Sequence, residues 1–512
     1  MSKEAKFYFT SDIHGHIFPN NWKDRSFTPY GLMCLQEFFE KDENTLLIDG
    51  GDSLQGSPLT YLCHEDNRPE FIAEIMNELG YDYITLGNHD FNYGTEYLNR
   101  YLSSSKAVPV CQNYLSSNDE RCLAPWRVHT LGNGLRVGLI GAVTDSVNIW
   151  EREENLSGCK IVDVVSAISE VYEEFMKSCD ISVCIYHGGY ECDLDNFNRL
   201  ENGRENVGVE ICEKFDFDLL LCCHQHMLTE GRNIHGTYTM QNASQAATAF
   251  EIRVRVEDDK KIISSKLLKS SEADIPTLSD EHLKFFDRLQ IWLDRTIGKL
   301  DQPLYPSDRI DMALNGSALA DFINHIQKDY LGTDLSCTSF ANEIPGLPVK
   351  VRIRDLLLTY PFPNTLVAIE IDGKTLKKGL ERAAEYLSID NNSAGKYRIS
   401  EHFLKPKVEH YNYDFFLGVT ADIDYSKEFG TRVGKMWRCK DPYENNQSHE
   451  DEKIADLSTE NNLEIKDDDI FTLAMNNYRA SGAGNYPFYT TCKVIRRDAR
   501  DVFDVLCDYF LK

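Results

Sequence analysis

Five short segments in the first half of the chain each set Asp, His or Asn directly behind an apolar, strand-like run. They read FTSDIHGH, LLIDGGDSLQG, ITLGNHD, CIYHGG and LLCCHQH. Carboxylate oxygens and imidazole nitrogens are the groups a protein offers to divalent transition metals. In an α/β fold, side chains converge on a ligand at the ends of strands. Singly, each segment is ambiguous: His14 could cap a surface turn, and Asp52 could serve the glycines beside it. A His-x-His pair also arises by chance in surface loops. Five strand ends of one composition instead point to one shared site.

The elements that must position these residues follow from the pattern around them. The first 270 residues alternate β-rich runs (AKFYFT, TLLIDG, DYITL, VPVCQN, LRVGLIGAV, DISVCIYH, DLLLCCH, TYTMQN) with amphipathic stretches such as PEFIAEIMNELG and VVSAISEVYEEFMKSC. Strand–helix alternation predicts a layered α/β domain with a mainly parallel component. FEIRVRVEDDKKIISSKLLK switches to strict alternation, as in an antiparallel hairpin at a sheet edge. A helix is expected next, with Ser279 as N-cap, Asp280 and Glu281 in the first turn and Gly298 as the stop. The remainder mixes helices (SALADFINHIQKDYL, KTLKKGLERAAEYL) with strands (LVAIEI, DIFTLAMN), an α+β pattern. The domains are therefore placed at 1–272, at a linker helix over 273–300 and at 301–512. Residues 440–469 are polar and acidic without apolar periodicity, and an exposed insertion is expected there. There is no internal repeat.

At 512 residues the chain exceeds a single core, and its net charge of −28 disfavours a nucleic-acid polymer or an anionic membrane as partner. A small anionic substrate stays possible, because a bound cation inverts the local field. No run of about 18 apolar residues predicts a membrane span, and the first residues lack the apolar core of a leader peptide. Fifteen cysteines, an odd number without a C-x-x-C pair, read as reduced thiols of a cytoplasmic protein. Nothing in the sequence sets an oligomeric state.

Together the segments spell D-x-H … G-D-x … G-N-H-[DE] … H-G … [GC]-H-x-H. This resembles the calcineurin-like metallophosphoesterases, and within them the two-domain branch of 5′-nucleotidases and 2′,3′-cyclic-nucleotide 2′-phosphodiesterases. The likeness covers nearly the whole chain, since YPFPNTLVAIEIDGKTLKKGLE, YNYDFFLGVTADID and NNYRASGAGNYPF are similar to that branch's substrate-binding domain. It implies a four-layer α/β/β/α catalytic domain followed by an α+β domain of the 5′-nucleotidase type. It also implies two divalent metal ions (Mn, Zn or Fe). Asp12, His14, Asp52 and His226 would hold one, and Asp52, Asn88, His187 and His224 the other, with Asp52 bridging. A metal-bridging hydroxide would attack the phosphoester, as expected for ions about 3.5–4 Å apart. His89 would stand by the phosphate, stabilising the transition state or protonating the leaving oxygen.

Two positions depart from the pattern. Cys223 replaces the usual glycine before His-x-His, which would strain the loop if that position needs positive φ. Asn92 replaces the Asp that 5′-nucleotidases of this branch pair with the catalytic His. An Asn orients an imidazole by hydrogen bonding but adds no charge. GNHDFNYG with YPFPNTL and NYRASG is more like the members that open 2′,3′-cyclic nucleotides and hydrolyse 3′-nucleotides, so that activity is expected. The alternatives are a 5′-nucleotidase, a UDP-sugar hydrolase and, more remotely, a silent metal-binding scaffold. The NGGGIR motif of 5′-nucleotidases is absent from SFANEIPGLPVKVRIRD, and only Asn342 is carried over. For the nucleoside base, Tyr413 would form one face of an aromatic sandwich and Tyr486 or Tyr478 the other, with SGAGN as a tight turn rather than a phosphate-binding loop. The substrate would lie between the domains, and rotation about the Ser279–Gly298 helix would load and release it.

Overall fold

The computed structural model describes residues 2–199, 203–258, 260–362, 364–390, 396–405, 407–443 and 463–511. Most of the acidic stretch expected to be an exposed insertion, 444–462, lies outside these residues. The chain divides into two compact units, Met1–Gln290 and Ile291–Lys512.

The first unit is built on two six-stranded sheets. In one, the strands run in the order Lys260–Lys269, Thr248–Glu257, Lys3–Thr10, Thr45–Asp49, Tyr83–Ile84, Val108–Pro109. The four from Lys3–Thr10 onward are parallel, and the expected hairpin forms the antiparallel edge. The other sheet runs Thr229–Ile234, Thr237–Gln241, Leu219–Cys222, Ile181–His187, Arg136–Val143, Trp126–Thr130, with a parallel centre. Alternation within the strands explains the packing. Val183 and Ile185 join Phe7, Phe9, Leu46 and Ile252 in a core between the sheets. Their neighbours Cys184 and Tyr186 point the other way, onto Ile168 and Phe175 of the helix Val164–Ser178. Asp163 caps that helix, its carboxylate accepting from Ser166 N at 2.8 Å. The strand expected over VPVCQN is reduced to Val108–Pro109, since beyond Val110 the backbone N–H groups of Cys111 and Gln112 turn to the Ala124 and Gly141 carbonyls.

Ser279 caps the next helix as expected, accepting from His282 N at 3.1 Å. The helix covers Asp280–Leu293 and stops before Gly298. Gly298 instead lies in the strand Thr296–Lys299, which pairs with Lys350–Arg352. A Cβ there would come within 2.5 Å of the Phe510 ring, so this glycine serves close packing and not helix termination. The division between units falls inside this helix.

The second unit centres on a five-stranded sheet in the order Phe415–Leu417, Leu335–Thr338, Ile470–Asn476, Thr365–Asp372, Lys493–Asp501. Val367, Ile369 and Ile371 pack with Leu376 and Leu380 of the helix Gly373–Ala384. The helix Ala318–Leu331 starts at the Ser317 cap and ends at Gly332 in the left-handed region. The result is the α+β layout expected from the sequence.

Candidate metal centre

Every one of the five segments emerges from the C-terminal end of a strand in the first unit. Asp12 and His14 follow Lys3–Thr10, Asp52 follows Thr45–Asp49, and Asn88 follows Tyr83–Ile84. His187 ends its own strand, and His224 and His226 follow Leu219–Cys222. The parallel centres of both sheets therefore aim their chemistry at one place.

The seven side chains are in mutual reach. One ligand atom from each of Asp12, His14, Asp52 and His226 lies within 4.8 Å of the others. His14 Nε2 and His226 Nε2 approach to 3.0 Å, and His226 Nε2 stands 3.6 Å from Asp12 Oδ1. Beside this group, His187 Nε2 is 3.2 Å from both Asp52 Oδ2 and Asn88 Oδ1, and His224 Nδ1 is 2.9 Å from Asn88 Oδ1. Asp52 thus belongs to both sets. The far ring nitrogens are fixed: His187 Nδ1 contacts the Gly50 carbonyl at 2.6 Å and His14 Nδ1 the Gln55 carbonyl at 2.9 Å. Such outer contacts set the tautomer that leaves Nε2 for a cation. His224 Nε2 likewise meets Glu205 Oε1 at 2.9 Å, a carboxylate that no sequence motif marks.

Two observations test whether the residues suit metal ions. Asp12 Oδ2 is buried without a hydrogen-bond partner among the described residues, and the buried Asp52 Oδ2 faces the imidazoles of His187 (3.2 Å) and His14 (3.8 Å), a costly state that a cation relieves. Asp12, His14, Asp52, His224 and His226 also hold positive φ between 48° and 76°. Non-glycine residues rarely adopt this region, and the strain concentrates at functional sites. The donors, two carboxylates, four imidazoles and one amide oxygen, are of the types that divalent transition-metal ions take from a protein. Burial works against charge on Asp52, yet the rings of His187, His89 and His14 hold its carboxyl well below the usual carboxylate range. Burial also opposes the His187 imidazolium, and Asp52 nevertheless holds it well above the ordinary value.

His89 sits at the rim of this cluster, half-buried, its ring centroid 5.3 Å from that of His14. Its backbone N–H donates to Asp52 Oδ1 at 2.7 Å. Its Nδ1 lies 2.8 Å from Asn92 Oδ1, so the Asn does orient the ring. Asp90, to which the sequence assigns no role, turns its buried carboxylate back onto the loops. It accepts from Asp52 N, Ser53 N, Leu54 N and Gly87 N at 2.8–3.0 Å. It clamps the turn carrying Asp52 to the turn carrying Asn88. Cys223 raises no φ problem, since the left-handed residues of that loop are His224 and His226. Its thiol occupies space that Gly50 leaves open, where a Cβ would lie 2.4 Å from Cys223 Sγ.

In the second unit the expected nucleoside contacts are placed differently. Tyr486 is fully buried in the core, with the Arg479 guanidinium 4.1 Å over its ring and Tyr489 stacked at 5.6 Å. Its faces are spent on packing, which corrects the expectation that it offers one to a base. Tyr413 is half-buried against Tyr386 (4.6 Å) and Phe415 (4.7 Å). Asn342 donates to the Val408 carbonyl at 2.8 Å and accepts from His410 N at 3.1 Å. Tyr478 lies beside Arg479, whose guanidinium is 5.7 Å from its ring.

Residues 5–228 match the family model for calcineurin-like phosphoesterases, and residues 296–491 match that for the 5′-nucleotidase C-terminal domain. The trifunctional nucleotide phosphoesterase protein YfkN of Bacillus subtilis is 24% identical over 98% of this chain, which spans 37% of that protein's length. The 2′,3′-cyclic-nucleotide 2′-phosphodiesterase/3′-nucleotidase of Salmonella typhimurium is 24% identical over 92% of this chain and 80% of its own. A candidate 5′-nucleotidase of Staphylococcus aureus, solved with alpha-ketoglutarate, superposes with a TM-score of 0.86 at 27% identity, covering 99% of this chain and 98% of that one. Among the described residues no helix is long and apolar enough to cross a membrane.

Proposed function

We propose, for a chain that belongs to the calcineurin-like phosphoesterases bearing a 5′-nucleotidase C-terminal domain, that its substrates are 2′,3′-cyclic nucleotides and 3′-nucleotides. The observation that carries a metal-dependent phosphoesterase is the convergence of the buried Asp12 and Asp52 carboxylates with four histidines, beside His89. Asn92 and the activities named for the relatives in Bacillus and Salmonella support the substrate class.

Asp12, His14, Asp52 and His226 would hold one divalent ion, and Asp52, Asn88, His187 and His224 a second. When bound, two such ions activate water at neutral pH and neutralise charge on the phosphoryl oxygens. The chain's own residues supply the rest. Gly50 and Gln55 carbonyls hold the His187 and His14 rings in one tautomer. With Nδ1 engaged by Asn92, His89 has Nε2 to deliver a proton to the departing ribose oxygen. Opening the cyclic diester adds water across P–O2′, the proton going to O2′; a second hydrolysis then frees phosphate from O3′. The second unit would hold the nucleoside, with Tyr413 as the stacking residue and Asn342 keeping its loop in shape. Fifteen free thiols suit a reducing, cytoplasmic setting.

The test is a Mn²⁺-supplemented screen of 2′-, 3′-, 5′- and 2′,3′-cyclic nucleotides, following nucleoside and phosphate together. Fast turnover of cyclic and 3′ substrates is expected. The structural likeness to a candidate 5′-nucleotidase favours a second reading, and dominant 5′-nucleotide or UDP-sugar hydrolysis would replace the first with it. No turnover in metal-loaded protein would leave a binding scaffold.

A further inference from the structure

Asn92 has a second partner that the sequence does not announce. Its Nδ2 donates to Glu151 Oε2 at 2.7 Å. The other oxygen, Oε1, accepts from Arg152 N at 2.8 Å and Asn155 Nδ2 at 2.7 Å. Asn155 Nδ2 also donates to the Asn92 carbonyl at 2.8 Å, tying the two loops together twice. Glu151 ends the short helix Val147–Trp150, its N–H bonded to the Val147 carbonyl at 2.8 Å. The preceding Trp150 stacks on His224 with centroids 5.4 Å apart. The segment is therefore anchored to the metal centre on both sides of the Glu.

A carboxylate with donors on both oxygens only accepts. It fixes which end of the Asn92 amide faces it: Nδ2 toward Glu151, hence Oδ1 toward His89. An amide oxygen in turn only accepts, so His89 Nδ1 must carry the hydrogen. This leaves Nε2 as the nitrogen that exchanges protons with substrate. We propose that Glu151 is a positioning residue: acting through Asn92, it holds His89 as the Nδ1–H tautomer. The Asn92–Glu151 pair then does what a lone Asp does elsewhere, with the negative charge moved one side chain outward. An Asp at 92 would face Glu151 across the same 2.7 Å, and two carboxylates at that distance cannot both ionise. The identities of the two positions are coupled: Asn with Glu, or Asp with Gln.

The inference rests on the reading of His89 as the group serving the leaving oxygen, and its test separates the two. On the 512-residue chain loaded with Mn²⁺, with a 2′,3′-cyclic nucleotide, Asn92→Asp should lower kcat about tenfold or more, with KM within about threefold. Glu151→Gln alone should lower kcat several-fold. The double variant Asn92→Asp/Glu151→Gln should recover to within about threefold of the unmodified enzyme, a non-additivity that only direct coupling produces. Independently of activity, ¹⁵N-histidine NMR of the Zn²⁺-loaded protein should show the His89 ring as Nδ1–H. Glu151→Ala should shift it toward Nε2–H. Additive effects on kcat, or an Nε2–H ring in the unmodified protein, overturn the proposal. Absence of turnover would sink the nucleotide reading while the NMR arm still decides this one.

Discussion

At the strand ends of the first unit, Asp12 Oδ2 keeps no hydrogen-bond partner among the described residues, and the buried Asp52 Oδ2 faces the His187 and His14 rings. In the second unit, Asn342 commits its amide to the backbone at 408 and 410, and Tyr486 commits its ring to Arg479 and Tyr489. The first region holds five side chains in a strained backbone region, while Tyr413 and Tyr486 sit within ordinary packing. The difference separates a site prepared for charge from one built on shape. A cation must be met by fixed, unsatisfied donors, so stability is given up locally to present them. A nucleoside base needs only an apolar face, which a packing residue supplies without special geometry.

The contrast breaks most visibly if chemistry and stability cannot be pulled apart. His89→Ala should cut turnover by about 10²–10⁴-fold, with metal content by elemental analysis and melting temperature unchanged, because no core packs on it. Tyr486→Ala should do the reverse. Truncating a buried aromatic costs about 3–5 kcal/mol, so calorimetry should show the second unit melting early while the first keeps its metals. Tyr413→Ala, at a half-buried ring, should raise KM for every base alike and leave kcat within a few-fold. A Tyr486→Ala protein that melts normally but binds nucleotide weakly would return that tyrosine to the base site.

These outcomes bear on what could be read in advance. The clustering of the seven candidate ligands was legible because metal chemistry restricts residue types, and strand ends restrict where they stand. The layered α/β unit and its hairpin edge were legible from alternation. Gly298 was misread because a glycine after an amphipathic run suits a helix stop and a strand packed tightly on a helix equally, and only the Phe510 ring distinguishes them. Tyr486 was misread because a tyrosine beside glycines looks the same whether it faces ligand or core. Glu151 and Glu205 could not be found at all: they act through contacts 59 and 19 residues distant in sequence, in segments without a motif.

A smaller effect sharpens the first region. Asp90 accepts four backbone N–H groups, two on each oxygen. In Asp90→Asn, the amide nitrogen would face two donors and leave both unpaired. Each buried orphan costs about 1–3 kcal/mol, and the loss should fall on the Asp52 and Asn88 turns. The expected result is a lower melting temperature of the first unit together with weaker metal retention in a chelator titration. Lower stability with metal affinity untouched would show that the clamp supports the fold and not the centre.

The smallest effect belongs to the second region and is one of pH. Burial, with Arg309 nearby, lowers His410 to about 4 from its ordinary 6.5. Its Nδ1 is bonded to Tyr386 OH at 2.7 Å, and its backbone N–H to Asn342. A base with a depressed folded pKa binds its proton first in the unfolded chain. Stability therefore carries no His410 penalty above about pH 6.5, falls as pH drops through the window from about 6.5 to 4, and levels off below it. In His410→Gln that titration is gone while a polar side chain remains, so any stability advantage of the unmodified second unit should shrink across this window. The ring is half-exposed, and solvent keeps the change to a few degrees at most. Because Asn342 shapes the same loop, KM for nucleotide should rise in the unmodified protein only as pH approaches about 4, where the folded ring itself takes up a proton, and stay flatter in His410→Gln. A KM that ignores pH there would separate this loop from nucleotide binding and leave Tyr413 alone to carry it.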